Sequence, residues 1–183
     1  MQFNYTTKLL AISLALVSLY SCKEEEKPKQ EPVVLTPKAS FTNSTEPEEW
    51  GPLYNIKESS NAHSGKHVSV IDSANLYSLG LMKPVSAISK EKFDSVSYTY
   101  WIYLKNAAAT AKSVVSIDDI AGKNIFWAGN IVNEKAKEVN KWIEVKDGFK
   151  LPSAINPDHF IKLYIWNTSK EEILLDDFSV TFY

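Results

Sequence analysis

The chain contains 183 residues with a formal net charge of −2 at pH 7, and its 20 Lys+Arg residues are all lysine. No cluster of these lysines alternates with aromatic residues, which argues against a nucleic-acid partner. The single cysteine excludes a disulfide within one molecule, and the 12% aromatic content is typical of β-structure.

Residues 1–21 predict a signal segment. Lys8 supplies the positive charge, and an apolar run of about a dozen residues follows it, too short for a bilayer core that needs roughly 20. The sequence Leu19-Tyr-Ser-Cys22 resembles a bacterial lipobox, in which the signal is removed before a cysteine that carries diacylglycerol. Tyr20 is bulkier than the usual residue at its position. The resemblance implies that Cys22 is lipidated and holds the chain at a membrane, with an uncleaved anchor or a free thiol as the alternative.

Residues 22–38 are predicted to form a tether between the lipidated cysteine and a folded domain at residues 39–183. Three glutamates follow Lys23, and such acidic runs resemble the surface-export signal of Bacteroidetes lipoproteins. The prolines and charged residues of the tether predict an extended, semi-rigid spacer. We therefore expect a lipid-anchored protein of the outer membrane whose domain lies at the cell surface.

The domain at residues 39–183 is long enough to form a single hydrophobic core, and its hydrophobic pattern is that of an all-β protein. The strongest alternation is in residues 94–105, where Val96, Tyr98, Tyr100, Ile102 and Leu104 share one face. Other strands are predicted at 53–58, 67–71, 75–82 (stopped by Pro84), 113–117, 124–129, 141–146, 159–167 and 173–183. The last two are expected to pair as neighbours. Turns at intervals near ten residues predict an antiparallel two-sheet β-sandwich of the jelly-roll type.

The closing stretch, residues 173–183, places a carboxylate among apolar side chains. A strand period of two puts Leu174, Asp176, Phe178, Val180 and Phe182 on one face, which we interpret as a core face. An ionised carboxylate there is costly, so Asp176 must be protonated, hydrogen-bonded by several donors or coordinated to a cation. The same pattern predicts that Asp177 points outward into solvent.

Four motifs together resemble the galactose-binding-like jelly rolls of carbohydrate-binding modules. They are Ala62-His-Ser-Gly-Lys66, a Trp-containing strand near the middle, Lys141-Trp-Ile-Glu-Val145 followed by Phe149, and Leu175-Asp-Asp-Phe-Ser-Val180. The resemblance spans residues 39–183 and looks closest to stand-alone versions on Bacteroidetes lipoproteins. It implies a non-catalytic domain that binds carbohydrate.

The resemblance also implies a structural Ca²⁺ between the start and the end of the domain. The ligands would be Asp176, Glu46 and main-chain oxygens near Ser64 and Lys66. The sequence departs from the family at Thr42, where many members have a glutamate, and Glu46 is nominated by proximity. The alternative is that Asp176 accepts hydrogen bonds from the backbone of residues 64–66 or from Lys66 itself.

A sugar would be held by aromatic platforms together with oriented polar groups. Trp127 and Trp166 lie near predicted strand ends and Trp50 in a turn, so these three are the predicted platforms, with Tyr103 and Tyr77 behind them. Trp101 and Trp142 lie inside strong strand patterns and are predicted to be core. His63, His67 and His159 show no metal-ligand spacing and are interpreted as polar loop or edge residues.

The sequence does not indicate an enzyme. It contains no nucleophile elbow, phosphate loop or zinc motif, and its paired acidic residues are neighbours that point to opposite faces of a strand. We therefore expect a domain that captures a neutral or weakly charged glycan, since arginine, the preferred clamp for carboxylates, is absent. The rival hypothesis is a structural or protein-interaction module of an outer-membrane assembly that has no sugar ligand.

Overall fold

The computed structural model describes residues 35–47 and 55–183 and contains ten strands with two short 3₁₀ helices. The strands are β1 (Ala39–Asn43), β2 (Ile56–Glu58), β3 (His67–Ile71), β4 (Leu81–Pro84), β5 (Ser95–Leu104), β6 (Ala111–Asp118), β7 (Asn124–Ile131), β8 (Trp142–Lys150), β9 (Phe160–Asn167) and β10 (Ile173–Phe182). The 3₁₀ helices are Val85–Ala87 and Val132–Glu134. The predictions for the signal segment, for Cys22 and for Trp50 lie outside the described residues.

The strands form two antiparallel sheets. In the six-stranded sheet the order is β2-β3-β10-β5-β8, and β1 also pairs with β10. In the four-stranded sheet the order is β4-β9-β6-β7. The inner faces of both sheets contribute to one hydrophobic core. The predicted all-β, two-sheet architecture is therefore confirmed.

Strand β5 shows how the sequence pattern produces the core. Its residues alternate strictly between half-buried and buried, and Tyr98, Tyr100 and Ile102 are at most 1% exposed. This is the face that the alternation predicts. The opposite face of β5 carries Trp101 and Tyr103, which are half-buried on the outer side of the six-stranded sheet.

Strand β10 contains a β-bulge that changes which face is buried. The register with β5 shifts between Asp176 and Ser179, and Asp177 has φ +46°. Before the bulge, Ile173 and Leu175 belong to the main core. After it, Val180 and Phe182 do. The prediction that Leu174 and Asp176 share a core face with Phe178, Val180 and Phe182 is therefore wrong, because one extra residue reverses the alternation.

One pairing prediction and one prediction of strand bounds are also wrong. Strands β9 and β10 lie in different sheets, because the turn between them crosses the sandwich. The Asn167 side chain holds this turn by donating to the carbonyls of Ile71 and Glu171. Residues 75–80 form only one isolated bridge, Tyr77 to Trp166, and the strand begins at Leu81 and includes Pro84. Proline is tolerated there because β4 is an edge strand.

Within the described part of the chain, no helix has the length and apolarity needed to cross a membrane.

Candidate functional site

The outer face of the four-stranded sheet carries a groove of about 410 Å³, which we call the aromatic groove. Strand β6 runs beneath it, with β7 on one side and β9 on the other. The lining residues are Tyr77, Ser78, Gly80, Leu81, Met82, Ser116, Asp118, Asn124, Trp127, Lys162, Leu163 and Tyr164. The groove is therefore formed by side chains from several segments that are far apart in sequence.

Aromatic side chains form both walls of the groove. Trp127 on β7 is 44% exposed and lies opposite Ser116 of β6. Across β6, the ring of Tyr77 is edge-on to Tyr164 at 5.6 Å and nearly parallel to Trp166 at 6.5 Å. Strands two apart in a sheet are separated by about 10 Å, so the two walls face each other across a single strand.

Val114 and Gly129, in the sheet beneath the groove, let the aromatic side chains pack closely against the sheet. Val114 of β6 is fully buried although it lies on the outer face, between Gly129 and Tyr164 in the strand register. A Cβ atom on Gly129 would lie 2.8 Å from Cη2 of Trp127. The glycine thus leaves the space that the Trp127 indole occupies, which fixes the position of this wall.

A fixed polar group closes one end of the groove. Lys162 donates to one carboxylate oxygen of Asp118, and the Asn124 side chain donates to the other at 3.0 Å. The bond from Lys162 lowers the pKa of Asp118 below its ordinary value, and the Asn124 bond acts in the same direction. Burial of the carboxylate opposes them. Asp118 therefore stays ionised and paired, which makes it an acceptor of fixed orientation.

Lys112 lies at the other end of the outer face of β6. Its Nζ is 5.7 Å from the ring centroid of Trp127 and 5.9 Å from that of Trp166. It forms an ion pair with none of the described residues. The outer face of the sheet thus has an ion pair in the groove and, next to the groove beside Trp127, a single ammonium group.

Of the predicted sugar platforms, Trp127 and Tyr77 line the groove, and Trp166 stacks on Tyr77 next to it. Tyr103 lies on the opposite sheet, where it lines a separate depression of about 480 Å³. It therefore cannot contact a ligand in the aromatic groove. Trp50 is not among the described residues.

Trp101 and Trp142 are not in the core between the sheets, contrary to prediction. Trp101 stacks on His63 at 3.8 Å. Trp142 packs beside a small outer cluster of Val68, Val70 and Leu174, and its indole N–H donates to the carbonyl of Asn61 at 2.9 Å. The prediction failed because a loop covers this part of the outer face. Side chains on that face are therefore also buried, and strand alternation does not distinguish them from the core between the sheets.

Sequence reasoning missed two residues of this face, Tyr164 in the groove and Lys112 next to it. Tyr164 has the same strand parity as Trp166 on β9, so the alternation alone places both on one face. Lys112 gave no such signal, because its position between two indoles depends on the pairing of β6 with both neighbouring strands.

The four residues predicted to bind calcium meet at one place on the other sheet. Asp176 Oδ2 accepts the backbone N–H groups of His63 at 2.9 Å and Ser64 at 3.1 Å, while Oδ1 accepts that of Asp177 at 2.9 Å. Burial raises the pKa of the Asp176 carboxyl, and the Ser64 bond opposes this shift. The alternative of a hydrogen-bonded Asp176 matches this geometry, with residues 63 and 64 as the donors.

Glu46 makes a parallel set of contacts at the other end of the same loop. Its Oε1 accepts the backbone N–H groups of Lys66 at 2.6 Å and His67 at 3.1 Å, and Oε2 lies 2.6 Å from Nδ1 of His67. The Lys66 bond, followed by the His67 ring, lowers the pKa of Glu46. Gly65, at φ +56°, leaves room for the carboxylate, because a Cβ there would lie 2.0 Å from Oε1.

Asp177 is not the solvated residue that the sequence predicts. Its carboxylate contacts His63 Nδ1 at 2.5 Å and accepts the Ser64 hydroxyl at 2.6 Å. The bulge in β10 turns it toward the loop at residues 63–67. Glu46, Asp176 and Asp177 therefore hold this loop together, and we call the arrangement the carboxylate staple.

The carboxylate staple does not fit Ca²⁺ in this geometry. The ion needs roughly six to eight oxygen ligands, but each carboxylate oxygen of Asp176 and Glu46 faces a backbone N–H or a ring nitrogen. Within residues 35–47 and 55–183, no group of three or more His, Cys, Asp or Glu side chains is arranged to hold a metal. The calcium site stays a prediction.

Comparison with known proteins identifies the fold. No protein-family model matches the chain, and a search of curated proteins finds no match. Among solved structures, the chain resembles the C-terminal family 22 carbohydrate binding module of Clostridium thermocellum Xyn10B (TM-score 0.51, 11% identity, 78% of this chain and 91% of that one). It equally resembles the CBM22-2 xylan-binding domain of Paenibacillus barcinonensis Xyn10C (TM-score 0.51, 14% identity, 78% of this chain and 99% of that one).

A third similar structure is that of a longer protein, of which this chain spans only a part. The chain spans 24% of a Clostridium thermocellum xylanase 10B structure that joins CBM22-1 and GH10 modules in complex with xylohexaose (TM-score 0.44, 16% identity, 70% of this chain). At these identities, the two TM-scores of 0.51 establish the fold alone. The chain has the β-sandwich jelly-roll fold of carbohydrate-binding modules, as the sequence predicted.

Proposed function

We propose that this chain is a non-catalytic carbohydrate-binding domain that holds a glycan in the aromatic groove. The observation that carries the proposal is the pair of aromatic walls, Trp127 on β7 and Tyr77 with Tyr164 on β9's side, facing each other over β6. The apolar faces of sugar rings stack on such side chains, and the hydroxyl groups need oriented polar partners. Asp118, Lys162 and Asn124 supply these partners at one end.

The groove supports binding rather than hydrolysis. Glycoside hydrolysis uses two carboxyl groups that flank the scissile bond. Among the described residues that line the groove, Asp118 is the only carboxylate, and its ion pair with Lys162 keeps it ionised. The xylan-binding domain with the same fold is likewise a binding module by its description.

The experiment is a glycan array probed with the full chain, followed by calorimetry on each glycan that binds. Trp127→Ala and Trp166→Ala should each weaken binding by about 5- to 30-fold, which corresponds to roughly 1–2 kcal/mol for a central aromatic contact. Trp142→Phe, on the opposite sheet, is the matched control and should bind like the wild type. Binding that survives the Trp127→Ala/Trp166→Ala double change would exclude this groove.

A protein-interaction module is the second candidate function. Apolar side chains around the same groove are exposed, with Met82 at 64%, Ile125 at 43% and Ile131 at 49%. Such a surface is typical of protein contacts as well as of glycan sites. Silence across the array, together with a stable complex with an outer-membrane protein after cross-linking in cells, would favour this second function.

We further propose that the domain is anchored at the outer membrane through lipidated Cys22 and faces the cell surface. The lipobox-like Leu19-Tyr-Ser-Cys22 and the acidic run after it support this location. Metabolic labelling with an alkyne fatty acid should mark the wild type and leave Cys22→Ser unlabelled. Protease added to intact cells should remove the domain from the labelled protein, and its protection would contradict surface exposure.

A further inference from the structure

Next to the aromatic groove, on the outer face of β6, lies one cation that none of the described residues neutralises. Lys112 is half-buried between Trp127 and Trp166, with its Nζ 5.7 Å and 5.9 Å from the two ring centroids. Its ammonium has no carboxylate within ion-pair distance among the described residues. Contact with two aromatic faces restricts the side chain, so it loses little further conformational entropy when a ligand binds.

The two charged residues that line the groove, Asp118 and Lys162, neutralise each other. Lys162 is bonded to Asp118, whose second oxygen is held by Asn124. The remaining lining side chains are uncharged. Lys112 therefore adds a local positive charge beside the groove although the chain as a whole carries −2.

The geometry points to an anionic substituent as the natural partner of this lysine. A sugar ring stacked on Trp127 or Trp166 directs the substituents at its edge parallel to the indole, toward the space between the two rings. The Lys112 ammonium lies over both indole rings and therefore borders this space. A carboxylate or sulfate placed there would pair with it, while a neutral hydroxyl could only accept a hydrogen bond.

We propose that the surface at Lys112, between Trp127 and Trp166 and next to the aromatic groove, is a subsite for an anionic sugar, carboxylated or sulfated, within a glycan chain that extends from the groove. The inference rests on the proposed glycan-binding function and deepens it by naming the ligand class. It departs from the neutral glycan that the absence of arginine predicts. Lysine acts as a point charge and does not need the bidentate geometry of a guanidinium group.

The test compares matched pairs of oligosaccharides by calorimetry with the full chain in detergent. One pair is a uronic-acid oligosaccharide and its carboxyl-reduced form, and the other is a sulfated oligosaccharide and its desulfated form. We expect the wild type to bind the anionic member of at least one pair about three- to tenfold more tightly at low salt. The preference should shrink in about 1 M salt, where charges are screened beyond roughly 3 Å.

Three variants make the test specific. Lys112→Gln should bring the ratio of anionic to neutral affinity to about one, and this ratio is the quantity compared between variants. Lys112→Arg should retain the preference because it keeps the charge. Lys57→Gln, an exposed lysine on the opposite sheet, is the control for overall charge and should behave like the wild type.

The outcomes separate this inference from the function on which it rests. Neutral glycans bound without any anionic preference, or a preference unchanged in Lys112→Gln, overturn the anion subsite and leave glycan binding intact. Binding of neither member of any pair overturns both. A preference for the carboxylated pair alone, or for the sulfated pair alone, supports the subsite and identifies which anion it takes.

Discussion

Asp176 Oδ2 accepts the backbone N–H of His63 at 2.9 Å, although 113 residues separate the two in sequence. The bond attaches the last strand to the loop at residues 63–67. Glu46, near the start of the domain, binds the other end of the same loop. Three segments that are distant in the chain are thus joined by carboxylates that accept backbone N–H groups.

This relationship predicts unequal roles for two adjacent aspartates. Asp176→Ala leaves three backbone N–H groups without their acceptor, and we expect it to lower the free energy of unfolding by about 2–3 kcal/mol. Asp177→Asn should cost less than about 1 kcal/mol, because asparagine tolerates φ +46° and the lost pair with His63 is partly exposed. Urea unfolding measures both values. Equal losses would contradict the larger role that we assign to Asp176.

The pKa shifts predict opposite pH profiles for two carboxylates. The pKa of Asp118 is lowered from 3.8, so its contribution to stability is present above 3.8 and is lost as the pH falls through the folded-state value. The pKa of Asp176 is raised from 3.8, so the folded protein binds that proton more tightly and this contribution falls as the pH rises through the folded-state value.

Unfolding by urea between about pH 3 and pH 7 checks this pair. The stability difference between wild type and Asp118→Asn should shrink as the pH is lowered, whereas the difference between wild type and Asp176→Ala should grow. Parallel profiles for the two variants would contradict the assigned directions.

Two neighbouring core tyrosines are expected to respond differently to loss of their hydroxyl groups. Tyr98 Oη is buried and has no hydrogen-bond partner among the described residues, while Tyr100 Oη donates to Asp147 at 3.4 Å. Tyr98→Phe should leave stability unchanged or raise it by up to about 1 kcal/mol, since an unpaired buried hydroxyl is costly. Tyr100→Phe should lower it by about 0.5–1.5 kcal/mol. Thermal unfolding of both variants measures these changes in stability. A loss of stability in Tyr98→Phe as large as that in Tyr100→Phe would contradict the interpretation that the Tyr98 hydroxyl is unpaired.

Calcium should leave the domain unchanged if the carboxylate staple is as we describe it. We expect no rise in the melting temperature when Ca²⁺ is added to chelator-treated protein, because the oxygens of Asp176 and Glu46 already accept N–H groups. Differential scanning calorimetry with Mg²⁺ as the control cation measures this. A rise that disappears in Glu46→Gln would instead establish the calcium site implied by the family resemblance.

Gly129 is expected to matter for binding and little for stability. Gly129→Ala places a Cβ 2.8 Å from Cη2 of Trp127, so the indole must move, which a side chain can do at low cost. Glycan affinity should fall by about two- to tenfold while the melting temperature stays close to that of the wild type. Gly148→Ala, whose Cβ meets only Val96 O at 3.7 Å on the other sheet, is the control. Unchanged affinity in Gly129→Ala would show that the position of Trp127 does not limit binding.

Local patterns in the sequence were sufficient for the fold class and for the burial of individual strands. The alternation in β5 predicts its buried face correctly, because side chains on a strand alternate whatever the strand pairs with. The same reasoning failed in β10, where one bulged residue reverses the faces. It also failed for Trp142, because alternation reports burial and does not distinguish the core from a face covered by a loop.

The sequence by itself determined an all-β sandwich rich in aromatic residues, together with the motifs whose order resembles carbohydrate-binding modules. Only the tertiary structure decided which aromatic residues share a surface: Trp127 and Trp166 flank β6, while Tyr103 lies on the opposite sheet. It also decided that Lys112 lies between two indoles and that Asp176 binds a loop far away in sequence. The physical reason is that strand periodicity is a local property, whereas sheet order and register are set by long-range pairing.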